Sequence, residues 1–254
     1  MGIMQKTLIV VPCFNEEDRL DASRFLEFVD TEPQLDFLFI NDGSTDNTKE
    51  ILKAAAFKAD RINVLTLKNN CGKAEAVRQG FITSIDKQFK YIGFWDADLA
   101  TPLEEIGTLV EIAEKYRAKV VIGSRVKIMG SRIQRKSILR HYAGRVFATL
   151  SCLWIHENIY DTQCGAKVFL NDECLEQVFK EKFCVSWIFD LEVIVRYAII
   201  SRKHGRKTLD EWLVEVPLKR WDDVAGSKLR IGNYFFAGVD FCRLIYKYRS
   251  LLRD

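Results

Sequence analysis

Short apolar runs alternate with stretches of helical periodicity through the first half of the chain. Runs rich in β-branched and aromatic residues at Thr7 to Val11, Phe37 to Ile40, Asn63 to Leu67, Tyr91 to Trp95 and Val120 to Ile122 read as strands. Between them, Thr48 to Phe57, Ala74 to Ile85 and Pro102 to Tyr116 carry the helical period. This alternation predicts a mostly parallel sheet with helices on both faces and ligands outside the carboxyl ends of the strands. Asp46-Asn47-Thr48 marks one helix start, with Glu50 in its first turn. Thr101-Pro102 marks another, with Glu104 and Glu105 near the positive end of the dipole, so these acids have a structural explanation.

Beyond Arg125 the pattern changes. A basic stretch from Lys127 to Arg145 leads into an apolar helical run ending near Ile155. A strand near Ala166 to Phe169, a helix near Asp190 to Ile200, a strand near Leu213 to Pro217 and an amphipathic helix from Tyr234 to Leu252 follow. No internal repeat, low-complexity tract or Pro/Gly-rich linker interrupts the chain, which favours one domain with a C-terminal extension.

Composition narrows the function class. The 254 residues are 48% hydrophobic and 29% charged, enough for one full-sized core. The net charge of +3 is the remainder of 38 basic and 35 acidic residues, so no overall field for nucleic acid is expected. Seven cysteines without C-x-x-C spacing argue against a zinc site or disulfide framework and suit reduced thiols in a cytosolic protein. The residues before the first apolar run are too few and polar for a signal peptide. No apolar stretch reaches the roughly 18 to 20 residues of a spanning helix.

The strongest chemical signal is Phe94-Trp95-Asp96-Ala97-Asp98, where two carboxylates separated by one residue end an apolar strand. In extended backbone, i and i+2 point the same way, so both can face one ligand. A hard divalent cation, Mg²⁺ or Mn²⁺, takes such oxygens together with substrate phosphates. Taken alone, the segment equally suits a turn and helix cap. Other strand-end loops supply context: Pro12 to Glu17, Asn41 to Asp46 and Lys68 to Lys73 bring groups that can hydrogen-bond a base and ribose, and Lys73 can reach phosphate. Neither G-x-G-x-x-G nor a P-loop is present.

The series PCFNEE at 12–17, NDGSTDNT at 41–48, NCGKAEA at 70–76, DADLAT at 96–101, GSR at 123–125, DTQCGAKVF at 161–169, FDLEV at 189–193 and VEVPLKRW with AGSK at 214–228 resembles family 2 glycosyltransferases. Within them it is most similar to the polyprenyl-phosphate branch, with DTQCG and DADLAT on the side of the dolichyl-phosphate β-glucosyltransferases. The resemblance implies a GT-A type α/β fold, Rossmann-like, with a mostly parallel sheet flanked by helices and a C-terminal amphipathic helix. It implies a catalytic domain at 1–228, divided into a nucleotide-sugar half (1–125) and an acceptor half (126–228), and a helical extension at 229–254. Pro12, Asn15, Glu16, Asp42, Ser44, Lys73, Asp96 and Ala97 would hold the nucleotide-sugar, and Asp96 and Asp98 the metal, Asp98 foremost. A glutamine two residues beyond the second Asp in mannose-type relatives is Ala100 here, so that ligand is missing. Asn41 replaces an acid.

The same resemblance suggests that Arg125 and Arg140 bind an acceptor phosphate. Arg132, Arg135, Lys136, Arg140 and Arg145, followed by Val146, Phe147, Leu150, Leu153 and Trp154, suit a helix in a membrane interface; a solvated face on a core-packed helix is the alternative. An anionic phosphate acceptor needs no strong base, whereas a hydroxyl acceptor would need one, with Asp161 and Asp190 as candidates. Asp190 equally suits the N-cap of its helix, and Asp161 a loop acceptor. Arg220, Trp221, Ser227 and Lys228 would form a loop closing over the donor. The leading expectation is an inverting transfer of glucose from UDP-glucose to a polyprenyl phosphate by a protein peripheral at the cytosolic membrane face. GDP-mannose or another donor, a sugar or protein hydroxyl acceptor, and an inactive nucleotide-sugar-binding protein are the alternatives.

Overall fold

The computed structural model describes residues 5–85, 88–135, 138–224 and 232–252, with backbone alone at 138–141 and 232–235. Apolar strands and amphipathic helices alternate from the start: β1 (Thr7–Cys13), α1 (Ala22–Thr31), β2 (Leu35–Asn41), α2 (Thr48–Lys58), β3 (Ile62–Thr66), α3 (Lys73–Ile82), β4 (Tyr91–Trp95), α4 (Glu105–Tyr116) and β5 (Val120–Ser124). A second half follows with β6 (Arg132–Gln134), α5 (Ile138–Ile155), β7 (Ala166–Leu170), α6 (Glu173–Lys180), α7 (Phe189–Lys203), β8 (Leu213–Pro217), β9 (Arg220–Asp222) and α8 (Gly232–Tyr248).

Seven strands form one sheet in the order β3-β2-β1-β4-β7-β5-β8, while β6 and β9 make a small parallel pair. Central strands are apolar nearly throughout because helices cover both faces. Phe25 of α1 meets Phe37 and Phe39 of β2 edge-on, at centroid distances of 5.1 and 5.0 Å. Between β4, β7, α3 and α6, Phe81 stacks on Phe179 at 4.0 Å and Phe94 on Phe169 at 6.4 Å.

Strand β7 runs antiparallel to both neighbours, with Trp95 opposite Ala166. That reversal brings the residues just before β7 to the carboxyl end of β4, beside Asp96. The order also reverses direction between β1 and β4, and the loops after these strands diverge to leave a crevice at the position expected for an α/β ligand site.

Several elements differ from the sequence reading. Helix α4 starts at Glu105, because Thr101 to Glu104 form turns and the buried Glu105 carboxylate accepts the backbone N–H groups of Lys219 and Arg220. Helices α1 and α6 and strands β6 and β9 add to the elements read from the pattern. Arg220 and Trp221 lie in β9 rather than in an irregular loop; Ser227 and Lys228 fall outside the described residues. Asp190 is not the N-cap of α7, which is Ile188, but a residue of its first turn. Among the described residues no helix is long and apolar enough to cross a membrane, and all seven cysteines are free thiols.

Candidate active site

The strand-end loops converge as the pattern predicts, and hydrogen bonds join them. Asp42 accepts from the backbone N–H of Cys71 and Gly72 at 2.7 and 2.8 Å, tying the loop after β2 to the start of α3. Asn15, at φ +50°, donates its N–H to Ser44 Oγ at 3.1 Å and accepts from Thr45 N–H at 2.8 Å. Glu16 accepts bidentately from Arg19, and its own N–H donates to Thr48 Oγ1 at 2.8 Å. Asn15 and Ser44 therefore brace the loops. Pro12, Glu16 and Asp42 line the central cavity, whereas Ser44 lines a smaller one beyond Phe14 that also holds Asn41. The Asn41 amide nitrogen is buried without a hydrogen-bond partner.

The central cavity encloses about 720 Å³. Its floor carries Lys73, Asp96, Ala97 and Asp98. Lys73 Nζ sits 2.5 Å from Asp96 Oδ1. Burial works to lower the Lys73 ammonium, but Asp96 and Asp190 outweigh it and hold it above its ordinary value. Asp98 is pushed above the usual carboxylate range by burial and by the Asp96 charge; its Oδ1 accepts from Ala100 N–H at 3.1 Å. Arg19 reaches within 3.9 Å of Asp98. The Ala100 carbonyl accepts from Asp222 N–H at 3.0 Å. Gly165 lies against Asp96: a Cβ there would fall 1.9 Å from Asp96 Oδ2.

Arg125 and Asp161 also line the cavity, as an ion pair. Arg125 Nε and Nη2 donate to the two carboxylate oxygens at 2.7 and 2.8 Å, and its N–H adds a third bond at 3.1 Å. Burial alone would raise Asp161, but the Arg125 guanidinium holds it below the ordinary range. The Trp221 ring faces the same guanidinium at 5.4 Å. Asp190 lines the cavity too, and its Oδ1 takes a 2.6 Å bond from the buried Lys167. Neither candidate base is thus a free carboxylate.

Arg220 points away, donating to Asp222 Oδ2 at 2.7 Å with most of its side chain in solvent. The Arg140 side chain and Lys228 lie outside the described residues. Conversely, residues not singled out in sequence shape the site. Glu215 on β8 accepts the N–H groups of Tyr160 and Asp161 at 2.7 and 2.6 Å, and burial pushes it above the usual range. Tyr160 holds Arg145, whose guanidinium lies 3.7 Å from the ring centroid and donates to the Tyr160 carbonyl. Arg19 belongs to no motif, and Gly165 and Lys167 stand within DTQCGAKVF without a role that the sequence assigns; only their pairing in space reveals it.

At the far end the wall becomes apolar, with Val146, Phe147 and Leu150 of α5 facing Phe241 of α8 and Trp187 nearby. Phe241 packs against Phe147 and Trp154 at centroid distances of 5.7 and 5.6 Å. Asp240 accepts from Trp187 N–H, and Tyr248 donates to the buried Glu192 at 2.7 Å, fastening α8 to the body.

Comparison with known proteins agrees with this arrangement. The Glycosyl transferase family 2 model matches residues 8–175. A dolichyl-phosphate beta-glucosyltransferase of Trichomonas vaginalis is 29% identical over 96% of this chain and 72% of its own length. That of Dictyostelium discoideum is 30% identical over 94% and 74%, and that of Saccharomyces cerevisiae 29% over 88% and 69%. Among solved structures, glucosyl-3-phosphoglycerate synthase from Mycobacterium tuberculosis, in complex with Mn²⁺, UDP and glucosyl-3-phosphoglycerate, superposes with a TM-score of 0.65 at 14% identity. The superposition covers 98% of this chain and 80% of that one, which gives the GT-A fold. With the family model spanning more than half its length and such relatives along nearly all of it, the chain belongs to glycosyl transferase family 2.

Proposed function

We propose that this glycosyltransferase moves glucose from UDP-glucose to a polyprenyl phosphate, with inversion at the anomeric carbon. One observation carries the reading: a single cavity runs from Asp96-Ala97-Asp98, past a cluster of arginines, to an apolar trough between α5 and α8. A nucleotide diphosphate suits the first end, a phosphate the middle and an isoprenoid the last. The relatives named for glucosyl transfer to dolichyl phosphate support the acceptor, and the solved neighbour containing UDP and Mn²⁺ supports the donor. Residues 1–125 then hold mainly the donor and 126–228 the acceptor.

The residues fit a divalent cation, Mg²⁺ or Mn²⁺. Asp98 is a carboxylate raised by burial and by a like charge, the condition that a hard cation relieves. Asp96 would share the metal while leaning on Lys73. Among the described residues no group of three or more acidic, His or Cys side chains could hold a metal ion, so phosphate and water oxygens would complete the shell. When bound, the cation would neutralise the departing diphosphate.

The protein side chains then do the following. Lys73, at the N-terminus of α3, brings a charge and free backbone N–H groups to the diphosphate. Asp42 keeps that terminus in place through Cys71 and Gly72. Asp161 and Asp190, each held by a cation, are poorly suited to remove a proton from a hydroxyl acceptor, whereas an acceptor phosphate is already an anion. The apolar trough excludes water, which would otherwise compete as acceptor. On α5 beside it, the exposed Tyr142 and Leu153 suit a membrane surface that delivers the lipid.

The purified chain with UDP-glucose, Mn²⁺ and undecaprenyl or dolichyl phosphate should yield lipid-linked β-glucose from the α-linked donor. A chelator should stop the reaction. No transfer from any nucleotide-sugar to either lipid would overturn the proposal.

A further inference from the structure

Two neighbouring side chains on the segment before β7 leave polar atoms unpaired at the cavity wall. Thr162 and Gln163 both line the cavity. Thr162 is 1% exposed, and among the described residues neither its Oγ1 nor Gln163 Nε2 has a hydrogen-bond partner. A buried hydroxyl or amide left unpaired works against folding. The backbone around them is nevertheless held on both sides. Asp161 N–H donates to Glu215 and its carboxylate takes three bonds from Arg125, while the Cys164 carbonyl accepts from Lys167 Nζ. The two side chains are thus the open part of a fixed segment.

Position gives these atoms a task. Asp161 stands at the arginine end of the cavity, and Gly165 lies against Asp96 at the diphosphate end. Four Cα steps separate them, at most about 14 Å of chain. Thr162 and Gln163 therefore border the space between the two ends. A transferred hexose must lie there, for an acceptor phosphate to reach its anomeric carbon from one end while the other end holds the leaving diphosphate. The chemistry agrees: a hexose presents hydroxyls that both donate and accept, which suits a neutral hydroxyl and amide, whereas phosphate oxygens are served by cations.

We infer that Thr162 and Gln163 hold hydroxyls of the transferred hexose and help to set which sugar is accepted. The inference rests on the reading of Asp96-Ala97-Asp98 as the diphosphate end. A sugar whose hydroxyls match pairs the two orphaned atoms, and one whose hydroxyls do not leaves them unpaired in a closed site, which is the strongest basis for rejecting a near-isostere.

Equilibrium binding of UDP-glucose and of UDP to the full chain with Mn²⁺ tests this. In Thr162→Val and in Gln163→Leu, which keep shape and remove the polar atom, the ratio of UDP-glucose to UDP affinity should fall about tenfold from the wild-type ratio, the worth of one hydrogen bond. UDP alone should bind both variants as it binds the wild type. Thr162→Ser keeps the hydroxyl and should keep the ratio. Thermal unfolding without donor supplies a second readout: because the two atoms are unpaired in the free protein, both apolar variants should unfold at the wild-type temperature or above it. A ratio unchanged in both apolar variants would overturn the inference alone. Unfolding temperatures that fall in both variants together with weaker UDP binding would overturn it in favour of a structural role for the segment. A wild type that binds neither UDP nor UDP-glucose would overturn the donor reading and the inference with it.

Discussion

Gly165 sets the approach of the chain before β7 to Asp96. With any larger residue, a Cβ 1.9 Å from Asp96 Oδ2 would force the carboxylate away from Lys73. Gly165→Ala should therefore weaken Mn²⁺-dependent UDP-glucose binding about tenfold, roughly one lost charged contact, while the fold survives. Thermal-shift titration with donor and metal measures it; unchanged affinity would show that Asp96 has no part in donor binding. Asp161 tests a different link, between charge pairing and stability. Its carboxyl is held below the ordinary 3.8, so its stabilisation is fully present above that pH and is lost as pH falls through the lower folded value. Asp161→Asn should cost about 3 kcal/mol near neutral pH, as expected when one partner of a buried pair is removed. The gap between variant and wild type in denaturant unfolding should narrow below pH 3.8. A gap that does not change with pH would assign the loss to packing alone.

At the scale of elements, the donor end depends on loops that hold each other. Gly43 occupies the left-handed region at φ +65°, and a Cβ there would lie 2.6 Å from the backbone of Asn69 and Asn70. Gly43→Ala thus combines backbone strain with a clash against main chain that cannot give way, for a cost of about 2 kcal/mol. It should also loosen the Asp42 bonds to Cys71 and Gly72, so the unfolding temperature and donor affinity should fall together. A fall in stability with full donor affinity would separate the loop from the site. The elements most legible in sequence were those with local signals. The apolar runs of β1, β2, β4 and β5 read as strands and are buried, and Asp96 and Asp98 ended one of them. Direction of pairing is non-local, and nothing in Ala166 to Leu170 announces that β7 runs antiparallel between β4 and β5. Its reversal is what delivers Gly165 and Lys167 to the site. For the same reason, the basic character of residues 127–145 was visible, but not that Asp161 would pair with Arg125 at the cavity wall. Helices α1 and α6, short and amphipathic, were hidden among charged residues whose apolar faces show only against the sheet.

For the whole molecule, the cavity and the outer surface share a direction. The apolar trough between α5 and α8 opens beside Tyr142, Val146, Leu150 and Leu153, which fall on one face of α5 and are each at least half exposed. Met129, fully exposed on the turn before β6, is a second apolar fringe, flanked in sequence by Lys127 and Arg132. Such a surface costs little in a protein that rests on a bilayer and is unfavourable in one that does not. If that surface is where the lipid arrives, Leu153→Asp and Met129→Asp, neither of which lines the cavity, should weaken attachment to phosphatidylserine vesicles about tenfold in combination. Transfer to a short-chain polyprenyl phosphate in detergent should persist. Basic residues near the fringe predict that raising salt weakens the remaining attachment further, because surface potentials decay within a Debye length. Co-sedimentation with vesicles across a salt series measures both effects, and attachment that ignores both substitutions would place the membrane contact elsewhere on the molecule.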